Sequence, residues 1–281
     1  MPKSVRHVIK CLLQVCLIIL LFGQTMLEAK PAAMDSFPAP FNGNKALAML
    51  FCPPNPNGEA TWQASRAIID ASGVNPGKKL ALTVSAGFTT YDVSETIART
   101  MIIFETRVAP QNSEEGYVPV IGAALFDSDG ETCRLVWSNP ALLQFGSDMA
   151  PVSPKFVTTG RALRGVILEG GGTHQGITVT TATVLAEHNN SVVIAARELP
   201  TYEDNEGAAE PDGQYKYEAK IEFVPVEEER NYSMKLIFSG TAPCLIEGGD
   251  VPFGGIVSSD YTANYYWDEK GSYEEEIECG Y

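Results

Sequence analysis

The sequence predicts an all-β protein, an antiparallel β-sandwich or jelly-roll-like fold of about ten strands with one or two short helices. Three observations lead there. Apolar and polar residues alternate with period two along much of the chain, most clearly where Tyr215, Tyr217, Ala219, Ile221 and Phe223 interleave with Lys216, Glu218, Lys220 and Glu222. Such alternation buries one face of a strand and wets the other. Turn-forming pairs, Asp129-Gly130 and Asn189-Asn190, fall between these runs and tolerate the positive φ of tight hairpins. Helical periodicity is scarce, and no strand–helix–strand repetition occurs.

The chain opens on a targeting signature. Lys3, Arg6 and Lys10 precede the apolar run 11–22, and Leu27-Glu28-Ala29 offers a small residue for cleavage, so residues 1–29 are predicted to be a signal peptide. Gln14 and the closing Gly23-Gln24 interrupt the run expected of a membrane anchor. Residues 30–45 are predicted to be a loosely ordered lead-in and 46–281 a single β-sandwich domain. Pro53-Pro54-Asn55-Pro56-Asn57 is a rigid loop beside Cys52. Residues 61–71 carry a short helical pattern stopped by Ser72-Gly73, and Asp92-Val93-Ser94-Glu95 has capping-box spacing for a further helical turn.

Strands follow at 80–88, 102–108, 118–126, 133–137, 162–168, 177–186, 192–197, 215–223, 232–238 and 273–281. In the last, Tyr273, Ile277, Cys279 and Tyr281 share a face opposite Glu274, Glu276 and Glu278.

Composition bounds the function. With 20 Lys+Arg against 35 Asp+Glu the net charge is −15, and losing residues 1–29 would move it to −17. Nucleic-acid binding needs clustered cations to neutralise phosphates, so no nucleic-acid partner is expected. Cationic partners or bound Ca²⁺ suit this surface better. The mature chain would keep Cys52, Cys133, Cys244 and Cys279, and an even count in an exported chain reads as two disulfides.

Catalytic motifs are nearly absent. The stretch 73–79 is one residue short of a phosphate-binding loop, the glycines of 170–176 lie between strands, and neither G-x-S-x-G nor H-E-x-x-H occurs. His174, in that glycine-rich loop, is the one catalytic candidate. Asp127, Asp129 and Glu131 alternate round a glycine turn, as oxygen ligands for Ca²⁺ can, and the acidic stretch 203–212 is a second such loop. Tyr261, Tyr265, Tyr266 and Trp267, interleaved with Asn264, Asp268 and Glu269, have the composition of a recognition loop, since rings stack on sugar faces and their polar neighbours bond hydroxyls.

The functional expectation is a secreted, disulfide-stabilised β-sandwich that binds carbohydrate or protein, or serves as a surface structural component. Its rivals are a secreted hydrolase of polysaccharide or protein and an outer-membrane β-barrel. Alternating strands and an aromatic C-terminus fit the barrel, whereas the Lys/Glu face of 215–223 would then have to line a lumen. After signal cleavage no integral membrane segment is expected.

Overall fold

The structure, a computed structural model, describes residues 36–51, 82–108, 119–146, 152–209, 213–243, 256–258 and 260–276. The expected signal peptide, the helical pattern at 61–71, the expected Pro-rich loop, Cys52, Cys244, Cys279 and the end of the last expected strand lie outside them.

Among the described residues fourteen strands and one helix follow in chain order: β1 (Ser36–Pro38), α1 (Gly43–Leu50), β2 (Leu82–Asp92), β3 (Ala98–Val108), β4 (Val120–Ser128), β5 (Thr132–Gln144), β6 (Lys155–Gly160), β7 (Leu163–His174), β8 (Ile177–His188), β9 (Ser191–Asp204), β10 (Lys216–Val224), β11 (Ser233–Pro243), β12 (Ile256–Ser258), β13 (Thr262–Trp267) and β14 (Tyr273–Glu276). They form two antiparallel sheets, one ordered β1-β5-β4-β3-β2 and the other β14-β13-β11-β10-β9-β8-β7-β6, with β12 also paired to β11. The all-β sandwich expected from the alternation is what forms. Consecutive strands are mostly neighbours, so hairpins build the sheets and the long crossed connections of a jelly roll are not needed.

The turn chemistry explains those hairpins. Asn189 and Asn190 adopt φ of 48° and 59° in the two-residue β8–β9 turn. Asp129 caps the β4–β5 turn, its Oδ1 accepting from the Glu131 and Thr132 N–H groups at 3.0 and 2.8 Å. Between β2 and β3 the expected helical turn does not form. Ser94 Oγ accepts from the Ile97 N–H at 3.1 Å, and the Val93 N–H donates to the Ile97 carbonyl at 3.0 Å, closing a hairpin instead. The reason is register: Asp92 pairs with Ala98, and a helix there would break a ladder that runs unbroken to Leu82–Val108.

The second sheet folds over on itself. Ile167 of β7 and Val184 of β8 share one core cluster with Met234 and Leu236 of β11. In a flat sheet β7 and β11 would stand about 19 Å apart, four strand spacings. The fold occurs where β9 and β10 pair only over Tyr202–Asp204 and Lys216–Glu218. It is held at the far side, where the Arg161 N–H donates to the Arg230 carbonyl at 2.8 Å and the Tyr232 N–H to the Thr159 carbonyl at 2.9 Å. Gly160 lies between them, and a Cβ there would come within 2.3 Å of the Arg230 carbonyl oxygen.

The molecule is therefore layered. The β6–β9 layer sends Val166, Leu168, Leu185 and Val192 against Met101, Ile103, Ile121 and Leu125 of the first sheet. Its other face sends Ile167, Val184 and Ala186 towards β10–β14. The outer face of the first sheet, with Ile102, Phe104, Ala124, Phe126 and Cys133, is covered by Phe37, Ala46 and Phe51. This corrects the expectation of a loosely ordered lead-in. From Ser36 onward the segment belongs to the fold: Ser36–Pro38 pairs with Thr132–Arg134, and Asn42 caps α1 by accepting from the Lys45 N–H at 3.0 Å. Burial of Phe37 and Ala46 supplies the reason. A membrane barrel needs one closed sheet, whereas among the described residues each sheet ends in strands with one sheet neighbour and the apolar cores lie between layers.

Candidate functional site

Two surfaces gather functional side chains, and both lie where the second sheet folds. The first is a groove of about 610 Å³ lined by Lys155, Glu169, Thr180, Tyr202, Glu218 and Lys220 among others. It exists because β9 and β10 separate after Glu218, leaving side chains from β6, β7 and β8 facing those of β10 and β11. Opposite charges and hydroxyls share its walls.

The second is a row of phenols and carboxylates. Glu203 of β9 accepts from the Tyr215 hydroxyl at 2.5 Å and from the Tyr217 hydroxyl at 3.0 Å. Burial, and then Glu203, pushes the Tyr215 phenol up to about 12 and raises Tyr217 further. Tyr217 packs 5.9 Å from the Phe238 ring, and Tyr261 lies flat on Phe238 at 4.3 Å with 12° between the planes. Tyr261 nonetheless remains 55% exposed. Burial raises its phenol and Glu275 adds to the shift, while Tyr265, the cross-strand partner of Glu275, is pushed up to about 12 mainly by burial.

The four residues of the expected recognition loop thus divide. Tyr265, Tyr266 and Trp267 lie in a strand, β13, where alternation turns Tyr266 away from its two neighbours, and Tyr261 lies just before that strand. Tyr265 joins the core, as does the partly buried Trp267, set edge-on to Tyr273 at 5.0 Å and 5.6 Å from the His188 ring. Tyr261 and Tyr266 stay exposed. Tyr217, Phe238 and Glu275 are not among the sequence candidates, and Glu203 is there only as the start of the acidic 203–212 stretch. The available signal was Tyr215 and Tyr217 two apart on one strand face, near an acidic run.

Two of the three Ca²⁺ ligands expected at the β4–β5 hairpin, Asp127 and Asp129, are otherwise engaged. Asp127 receives both Nε and Nη2 of Arg99, at 2.6 and 2.8 Å. Asp129 caps its turn, and the Thr132 and Glu131 N–H groups hold its carboxyl below the usual range. Glu131 is exposed. In the described part of the 203–212 stretch, 203–209, Asn205 donates to the Gly213 carbonyl at 3.0 Å and accepts from the Tyr215 N–H at 2.7 Å. Asp204 takes the Tyr202 hydroxyl and the Glu206 N–H. Among the described residues no group of three or more His, Cys, Asp or Glu side chains is placed to hold a metal.

His174 ends β7, exposed, opposite Ile177; the nearby Thr173 and Thr178 hydroxyls bond each other at 2.8 Å. Cys133 points inward as its alternation with Leu135 predicts, but it is a free thiol among Phe37, Phe51 and Phe126. Its three expected bridge partners, Cys52, Cys244 and Cys279, lie outside the described residues.

A third polar cluster is structural. Arg99, 6% exposed, also donates through Nη1 to Glu187 at 2.5 Å and to Asn190 at 2.8 Å, and Tyr91 donates to the other Glu187 oxygen. Hydrogen bonding to Asp127 above all holds Arg99 charged, and burial raises the Tyr91 phenol. This cluster ties β2, β3 and β4 to the β8–β9 hairpin, with its polar atoms turned on one another and away from any ligand.

Compared with known proteins, the chain matches no family model, no curated protein and no solved structure.

Proposed function

We propose that the protein is an exported, saccharide-binding β-sandwich. The observation that carries this reading is Tyr261: a ring left 55% exposed, yet held flat on the buried Phe238. A rigid exposed aromatic plane stacks on the apolar face of a pyranose with little ordering cost. Hydroxyl-rich and charged side chains along the adjoining strands, with Ala219 of the groove paired to Phe238, supply partners for sugar hydroxyls. Export rests on the basic and apolar opening of the sequence.

The test is titration of the secreted protein with glucose-, mannose- and glucosamine-based oligosaccharides, its intact mass first read for loss of residues 1–29. Saturable binding that Tyr261→Ala reduces by tenfold or more, with an unchanged melting temperature, supports the reading. Equal binding by Tyr261→Ala defeats it.

The rival reading, a hydrolase, draws on one observation: Glu169 and Glu218 line the same groove, as the paired carboxylates of a glycosidase do. New reducing ends in the same titration, lost in Glu218→Gln with binding retained, would favour it over simple binding.

A further inference from the structure

We infer that two copies of this chain pair through the open edge of β10, antiparallel about a two-fold axis at Ile221. β10 runs from Lys216 to Val224, but β9 covers it only as far as Glu218. Beyond that point strand geometry decides which backbone groups the edge presents. Residues directly opposite in an antiparallel pair either exchange both their backbone bonds or both turn away. Ala219 stands opposite Phe238, and the Phe238 N–H turns away from β10 to donate to the Tyr261 carbonyl at 2.9 Å. Ala219 therefore points its own N–H and carbonyl away from β11. The β10–β11 register is unbroken to Val224–Ser233, so Ile221 and Phe223 do the same. Among the described residues nothing bonds these groups on that side. The groove of about 610 Å³, lined by Ala219, Lys220 and Ile221, leaves room beside them.

A bare edge accepts a strand, and the side chains choose which one. Lys220 and Glu222 share the charged face, with Nζ 2.6 Å from Oε1. A second β10 reversed about Ile221 sets each Lys220 opposite the partner's Glu222. It also sets each Ala219 opposite the partner's Phe223, so the outward backbone groups of all three residues exchange bonds. An axis at Lys220 would instead set lysine on lysine and Glu218 on Glu222, which repel. An axis at Ala219 would need Tyr217 and Glu218, which β9 occupies. β14, at the end of the same sheet, carries Glu274, Glu275 and Glu276 in succession, so a second copy there would meet like charge.

Pairing of this kind is isologous: each copy uses up the other's free edge, so assembly stops at a dimer. An unrelated peptide could reach the same backbone groups, but the second copy carries the complementary Lys and Glu in register. The inference does not rest on the saccharide reading, because Tyr261 bonds the opposite edge of β11.

The experiment is analytical ultracentrifugation of the full secreted chain from about 1 to about 300 µM, a span that captures a micromolar equilibrium. The expected result is a monomer–dimer equilibrium. Lys220→Glu or Glu222→Lys alone sets like charges opposite each other twice and should weaken dimerisation about tenfold. The double variant, Lys220→Glu with Glu222→Lys, should restore it. Melting temperatures at the low concentration should match the parent. Hydrogen exchange gives the local readout. The Ala219, Ile221 and Phe223 amides should slow as concentration rises, while those of Lys220 and Glu222, turned to β11, are slow throughout.

A monomer at every concentration would overturn the inference. So would a dimer that both single variants leave intact, or one that does not slow the Ala219, Ile221 and Phe223 amides, since it would form elsewhere. A monomer that nonetheless binds a synthetic peptide of residues 217–224 would overturn it in favour of a strand from another protein.

Discussion

Arg99 shows how much one side chain can hold together in this molecule. It spends four hydrogen bonds on Asp127, Glu187 and Asn190, and so joins a strand of the first sheet to a turn of the second. Glu187 is 1% exposed, and its charge is tolerable there because Arg99 answers it. Arg99→Met should therefore cost about 3–5 kcal/mol, because it strands a buried carboxylate. Arg99→Met combined with Glu187→Met should recover part of that loss. Urea denaturation of both variants measures this; a single variant within 1 kcal/mol of the parent would show that Glu187 finds water or another partner. None of this cluster was legible in the sequence, since Arg99 and Glu187 are joined only by the packing of two sheets. The exposed part of the candidate site was half legible: the aromatic run drew attention to Tyr261, but its platform, Phe238, and its acids, Glu203 and Glu275, come from other strands.

At the scale of elements, alternation located strands well and layers poorly. The 215–223 pattern marks β10, an outer strand with one charged face, and every predicted strand within the described residues has a counterpart. Where a strand is buried on both faces the pattern changes to a continuous apolar run, as in Met101-Ile102-Ile103-Phe104 and Val166-Ile167-Leu168. Such runs mark a layer on each side, and for the first sheet the outer cover, α1 with Phe51, and the edge strand β1 come from a segment too short and Pro-rich to read as structure. The folding-over of the second sheet was hidden for another reason. It depends on β9 and β10 pairing over three residues only and on Gly160 meeting the β10–β11 connection. Gly160→Ala should cost about 1–3 kcal/mol, because its methyl would press on the Arg230 carbonyl. Hydrogen exchange adds the specific readout: the Arg161 and Tyr232 amides should exchange faster, whereas those of β3 and β4 should not. Uniform acceleration across both sheets would mean that this contact does not act locally.

For the whole molecule, the buried phenols set an alkaline limit. Tyr91 and Tyr273 are raised chiefly by burial, and Tyr215 and Tyr265 are pushed up to about 12 by burial reinforced by Glu203 and Glu275 respectively. In the unfolded chain each would ionise near the ordinary tyrosine value of about 10. The folded state thus keeps protons that the unfolded state releases, so the stability contributed by these groups is complete below pH 10 and falls as pH rises from 10 towards 12. These residues belong to different layers, Tyr91 between the two sheets and Tyr265 and Tyr273 within the folded-over second sheet, so ionising them acts on both cores together. The expected outcome is a cooperative transition above pH 10, in which phenolate absorbance at about 295 nm rises in step with loss of near-ultraviolet circular dichroism. Arg99→Met should move that transition to lower pH, because less stability remains to be overcome. Phenolate absorbance completed near pH 10 with the dichroism intact would show that the tyrosines titrate freely, and that burial does not hold their protons.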